Sequence, residues 1–310
     1  MKFLVVTNAP TLKIDDSYQA YSPYVKEMDI WSDYVDDFKI ISPTTYGQNL
    51  LKTSFKNQPK VTSIPSLNFS TVFSTLRSLF YLPVIVFRLI KAMLWADHIH
   101  LRCPGNIGLI ACILQVFFPN KVKTAKYAGN WDPNAKQPKS YRLQKTILSN
   151  IKYTKKMTAL VYGEWPNQTK NIKSFFTATY RNQDRVVPVI RDYTKALEFV
   201  FVGSLVTGKR PLLAIQIVEQ LLSRGVTCKL QVFGDGVLKP KLQQYIDDKQ
   251  LGNSIVLHGN KTSETVKTAL QSAHFTILAS KSEGWPKVGR SYVFGVIPPL
   301  QRLYLVCQIC

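Results

Sequence analysis

Short runs of β-branched and aromatic residues alternate along this chain with longer stretches at helical spacing. That alternation is the pattern of βα units on parallel sheets. The sequence predicts strands at 3–7, 38–42, 98–101, 123–128, 158–162 and 174–178, then a second series at 198–203, 229–234, 254–258 and 275–279. Helices are expected at 76–95, 107–118, 210–224 and 239–250; in 210–224, Leu212, Ile215, Ile217, Val218 and Leu221 fall near helical spacing and Gly225 marks the stop. The polar stretch from Tyr180 to Leu197, with its single Pro188, separates the two series and reads as a connection. The expected architecture is therefore α/β, with two domains facing a cleft. Residues 1–180 form the first, 181–197 the linker, and 198–298 the second. In open sheets of this kind ligands gather at the carboxyl ends of the strands.

Charge narrows the partners. Lys and Arg number 40 against 19 Asp and Glu, a formal net charge of +21. Such an excess favours anions: a phosphate-bearing substrate, an anionic membrane face or nucleic acid. The basic residues of 121–173 alternate with aromatics, as in nucleic-acid binders, but no recognised nucleic-acid module accompanies them, so nucleic acid ranks below a membrane or an anionic acceptor. Five cysteines in 310 residues make no disulfide framework and point to a reducing compartment, hence the cytoplasm, either free or peripheral on the inner face of the plasma membrane. The stretch from Leu76 to Trp95 is apolar with Arg77, Arg88 and Lys91. It reads either as an amphipathic helix meeting anionic lipid or, as slightly preferred here, as a packed domain helix with solvated cations.

Three loops at strand ends carry candidate chemistry. Gly203-Ser204-Leu205-Val206-Thr207-Gly208-Lys209-Arg210 joins a strand to a helix, and glycines, a helix N-terminus and two cations suit a diphosphate. Equally, it is a strand–loop–helix turn with solvated cations. Gly234-Asp235-Gly236 is a tight turn of a common kind. Ser280-Lys281-Ser282-Glu283-Gly284 follows an apolar strand, and its carboxylate could accept hydrogen bonds from sugar hydroxyls or simply face solvent.

The order of these loops resembles retaining glycosyltransferases of the GT-B fold, family 4 (glycosyl transferases group 1). The resemblance runs through FVGSLVTGKRPLLAI, LQVFGDG, LGNSIVLHGN and SAHFTILASKSEGWPKV, and more loosely through ADHIHLRCPGN and AKYAGNWD in the first half. It implies two Rossmann-like domains, a nucleotide-sugar donor, a saccharide or lipid-linked acceptor, cell-envelope polysaccharide biosynthesis and no metal or other cofactor. By it Lys209 contacts the donor diphosphate. Many members have arginine where this chain has Ser204, with Arg210 a substitute. Gly203, Gly234, Asp235 and Gly236 lie near the nucleotide, and Glu283 with Gly284 opens the Glu-x7-Glu motif that handles the donor sugar. The second glutamate is absent: Ser291 stands there.

A reading-frame slip is expected to account for that difference. If Arg290 to Phe294 are written with the codons AGA-AGC-TAT-GTT-TTT, preceded by GC, they re-frame to Ala-Glu-Ala-Met-Phe, the family's continuation. Pro299 to Cys310 re-frames in the same way, so 299–310 is expected to be an out-of-frame tail, the second domain incomplete, and Cys307 and Cys310 a chance pair.

In the first half, Arg102 and Asn106 follow one strand and Trp131 another. Cation, amide and indole suit a polyhydroxylated acceptor; they also suit plain turns around a partly buried Trp131. His98 and His100 share a strand face and read as satisfied histidines rather than a metal site, and no Asp-x-Asp occurs. No side chain presents itself as a general base. The competing readings are an inactive product of a damaged gene and a basic protein that binds nucleic acid or membrane without chemistry.

Overall fold

The computed structural model describes residues 1–45, 51–175 and 190–280. The chain divides into two compact units, Met1–Phe176 and Thr177–Cys310. Each is built on a parallel sheet.

Unit one carries a seven-stranded sheet, in spatial order β10 (Ile172–Phe175), β9 (Met157–Tyr162), β8 (Val122–Tyr127), β7 (His98–Cys103), β1 (Lys2–Val6), β4 (Asp37–Ser42) and β6 (Lys60–Ser63). Every pairing in it is parallel. Strand β1 is apolar on both faces because both are covered. Leu4 and Val6 join a core with Ile85, Leu89 and Met93 of α2 (Val72–Trp95) and with Ile107 and Ala111 of α3 (Asn106–Leu114). Phe3 and Val5 face the other way, onto Val25 and Met28 of α1 (Ser22–Ser32). A fourth helix, α4 (Lys139–Ser149), packs beside α3. A small antiparallel sheet of β2 (Leu12–Ile14), β3 (Ser17–Tyr21) and β5 (Lys52–Ser54) sits apart from the main one.

Unit two has the order β13 (Ile255–Gly259), β12 (Cys228–Phe233), β11 (Leu197–Val202) and β14 (Phe275–Thr276), again all parallel. One face packs Phe199, Phe201, Leu230 and Val232 against Ile215 and Val218 of α5 (Pro211–Ser223) and Leu242 and Ile246 of α6 (Lys239–Asp248). The other packs Val200 and Phe233 against Leu270 and Ala273, in and just after α7 (Ser263–Ser272).

The expected strands and helices match to within a few residues, apart from one strand and one helix that differ in part and one strand whose expected end lies outside the described residues. The strand expected at 275–279 keeps ladder geometry only over Phe275–Thr276. The one expected at 174–178 ends its described part at Phe175. The helix expected at 107–118 tightens after Leu114 into a 3₁₀ turn, Gln115–Phe117, whose carbonyls are met by the buried Lys123: Nζ donates to Gln115 O and Phe118 O at 3.1 and 3.0 Å.

Candidate functional site

In each unit the strand order reverses at one place, beside β1 in the first and beside β11 in the second. Such a reversal is where the connections of an open α/β sheet leave in opposite directions and where a ligand crevice is expected.

In unit two the loop after β11 is stitched to its neighbours by backbone bonds. Gly203 N donates to Phe233 O (2.9 Å), Leu205 N to Asp235 O (3.0 Å), Leu238 N to Leu205 O (3.0 Å) and Gly234 N to Gly259 O (2.9 Å). Two glycines are required for this. A Cβ on Gly234 (φ +133°) would lie 2.0 Å from Gly203 O, and one on Gly236 (φ +158°) would lie 2.6 Å from Leu205 O. Leu205 is fully buried in the core and anchors the loop, while Ser204 stays exposed. Thr207–Lys209 makes one 3₁₀ turn, and Arg210 takes a left-handed conformation (φ 51°) just before Pro211 opens α5. Proline suits that first helical position. No side chain caps the helix; Pro211 has no N–H and Leu213 N donates to Arg210 O (3.1 Å), so the N–H of Leu212 is the first-turn donor left for water or an anion. Lys209 and Arg210 are half-buried beside it.

The sequence-predicted loops 203–210 and 234–236 are thus brought together at one sheet edge. Asp235 is occupied locally: its Oδ1 accepts from Gly236 N (2.7 Å) and its Oδ2 meets Lys239 Nζ (3.3 Å). Glu283 and Gly284, with Ser291 and the two tail cysteines, lie outside the described residues. A shallow hollow of about 290 Å³ lies elsewhere, lined by Glu198, Lys229, Gln231 and His258 among others. It starts at the opposite strand ends and holds none of the predicted donor residues.

In unit one, the crevice beside β1 is marked by Asn8, which the sequence reading missed. Its Oδ1 accepts from Ile107 N (3.1 Å), and a Cβ on Gly105 would sit 2.0 Å from its Nδ2. The signal was present as a polar residue two positions past the first strand. Asn106, the first residue of α3, donates through its Nδ2 to Leu67 O (3.3 Å).

The other two acceptor-side residues have different surroundings from those expected. Arg102 is not an open cation: its guanidinium donates to Glu27 Oε1 (3.0 Å), and Lys126 Nζ donates to Glu27 Oε2 (2.8 Å). Arg102 also lies 4.8 Å over the Tyr24 ring, and Lys126 4.7 Å over Phe175. Burial alone would raise the Glu27 carboxyl, but the two cations outweigh it and hold it at about 2. Trp131 is 6% exposed and belongs to the core, edge-on to Tyr127 at 4.9 Å with Lys145 over its ring. An indole held that way offers little free face for stacking a sugar. His98 and His100 both reach Thr124 Oγ1, at 2.9 and 2.8 Å. His100 is fully buried against Trp31, and burial foremost lowers it to about 3. Among the described residues no three His, Cys, Asp or Glu side chains cluster as metal ligands.

Comparison with known proteins agrees with this architecture. The α/β fold with parallel sheets is that of the GT-B glycosyltransferases. Residues 182–288 match the family model for glycosyl transferases group 1. Among solved structures the chain is similar to the lipopolysaccharide outer core galactosyltransferase WaaB (15% identity, TM-score 0.59, over 96% of this chain and 80% of that one). It is similar also to Alr3699/HepE of Anabaena in complex with UDP (12%, 0.59, 95% and 79%). A third is WaaG, a glycosyltransferase involved in lipopolysaccharide biosynthesis (10%, 0.59, 96% and 80%). The match spans less of other relatives, 40% of S. aureus TarM and 41% of pneumococcal GtfA. No curated protein matches by sequence.

Proposed function

We propose that this chain is a retaining glycosyltransferase of family 4 that moves a sugar from a nucleotide-sugar donor to a saccharide or lipid-linked acceptor in building cell-envelope polysaccharide, in the cytoplasm. The observation that carries the reading is the joined pair of loops at the edge of unit two. Loops 203–210 and 234–236 meet where α5 begins uncapped, with Lys209 and Arg210 alongside, inside the segment matching the glycosyl transferases group 1 model.

In this scheme the first turn of α5 and the two cations receive the donor's diphosphate and stabilise the charge that grows on it as the sugar departs. The glycines let backbone approach the nucleotide, and Glu283 positions the donor sugar. On the acceptor side, Asn8 and Asn106 line the crevice of unit one, and Arg102 acts by holding Glu27 rather than by touching a sugar. No metal or other cofactor takes part.

Heating the chain with a panel of nucleotide sugars tests the donor reading. A bound donor raises the melting temperature as its concentration exceeds its Kd, and Lys209→Ala is expected to remove the shift. A melting temperature indifferent to every donor defeats the proposal. A second reading, donor binding without transfer, is favoured by Ser291 where the family has its second glutamate. Incompatible codons in the coding DNA would remove the frame-slip explanation, and transfer activity by Ser291→Glu but not by the parent chain would support this second reading.

A further inference from the structure

Helix α2 presents the wrong face to water. Ile85, Leu89, Ala92 and Met93 anchor it in the core of unit one. A surface helix held this way carries polar residues opposite its buried stripe. Here the opposite side carries Leu76, Leu79, Phe80, Phe87, Ile90 and Leu94, with Phe80 79% and Phe87 67% exposed. Together with the exposed Phe73 and Val84 they recur every three or four residues from 73 to 94, with Leu79 beside Phe80, so they form one continuous ridge along a 24-residue helix about 36 Å long. Exposed apolar ridges of that extent mark contact surfaces.

The helix is long and apolar enough to cross a membrane by length and composition. Its buried stripe, however, is committed to the sheet, so it lies along the surface of the unit. Its charges are one-signed. Residues 72–95 include Arg77, Arg88 and Lys91 and no Asp or Glu. Arg77, Arg88 and Lys91 lie on one flank of the ridge by helical phase. Arg88 also bonds Ser63 O, Arg77 lies over the Tyr81 ring, and Lys91 is exposed. At the helix's far end Lys121 Nζ donates to Leu94 O and Ala96 O at 3.1 and 2.6 Å.

We propose that α2 docks unit one flat on an anionic phospholipid bilayer, its apolar ridge sunk to the acyl boundary and its basic flank at the headgroups. Charge selects this occupant. A second copy would bring another +21 and another helix without acids, whereas an anionic surface is complementary to both. Apolar burial and attraction to anionic lipid add in helices of this kind.

Flotation of the full chain with vesicles tests the docking. Vesicles of phosphatidylcholine with phosphatidylglycerol are expected to carry the protein, vesicles of phosphatidylcholine alone to carry much less, and added salt to release it. The pair Phe80→Glu/Phe87→Glu is expected to lower partitioning by about tenfold or more, and Lys91→Gln by about fivefold. Both changes lie on exposed positions and leave the melting temperature in place; should the double variant melt early, Phe73→Ser/Leu76→Ser reads the other end of the ridge. Absence of binding to the anionic vesicles overturns the proposal, as does unchanged binding by a folded ridge variant. A wild-type dimer that ignores vesicles and is split by Phe80→Glu/Phe87→Glu also overturns it, giving the ridge to a second copy.

Discussion

Gly234 lies against the carbonyl of Gly203 so closely that a Cβ at 234 would stand 2.0 Å from that oxygen. Two loops distant in sequence therefore meet backbone to backbone at the strand ends of unit two. Gly234→Ala meets both this clash and an unfavourable φ of +133°. It is expected to cost about 2 kcal/mol or more of stability in unit two, read by denaturant unfolding, and to weaken any nucleotide-dependent shift in melting. Gly208→Ala, whose added carbon meets nothing within 4 Å, is the matched control and should change stability little.

Acid should find Glu27. Its carboxyl sits at about 2 in the fold, against about 4.3 in an unfolded chain. A lowered carboxyl stabilises the fold above the unfolded value and loses that contribution as pH falls through the folded one. The window is thus roughly pH 4.3 down to 2, for about 3 kcal/mol in all. Glu27→Gln strands Arg102 and Lys126 without a counter-charge and is expected to cost about 3 kcal/mol at pH 7, with a flatter acid limb in urea titrations.

His100 acts in a higher window. Folded, it sits at about 3, while an unfolded histidine takes up its proton near pH 6.5. The unfolded state binds the extra proton between those values, so stability falls as pH drops below about 6.5, by about 2 kcal/mol at pH 5. His100→Gln, compared with wild type by urea unfolding at pH 7 and pH 5, should lose less on acidification.

Trp131 separates core from contact. Buried between Tyr127 and Lys145, it should behave as packing: Trp131→Ala is expected to cost about 3–5 kcal/mol. A Trp131→Phe variant that keeps its melting temperature but loses acceptor use would instead restore the indole as a sugar platform.

Much of the framework was legible because it is periodic. Strands such as Phe199–Phe201 and Leu230–Val232, each followed by a helical stretch, declare a βα unit from spacing alone. What stayed hidden depends on pairings across long separations. Glu27 is 75 residues from Arg102 and 99 from Lys126, so nothing local disclosed that Arg102 is clasped. Trp131 follows a strand in a polar setting, and only the packing of Tyr127 and Lys145 shows it to be interior. The small sheet of β2, β3 and β5 escaped notice because its strands are three to five residues long and largely polar. Asn8 gained meaning only when β7 was placed beside β1.

The end of α2 has one more consequence. Only Ala96 and Asp97 separate it from β7, and Lys121 ties the same turn to the entry of β8. The helix therefore has no slack with which to swivel: tilting it means tilting the two strands whose far ends carry Arg102 and Lys126. Whatever surface holds α2 acts on the sheet as a keel does on a hull, fixing its heading.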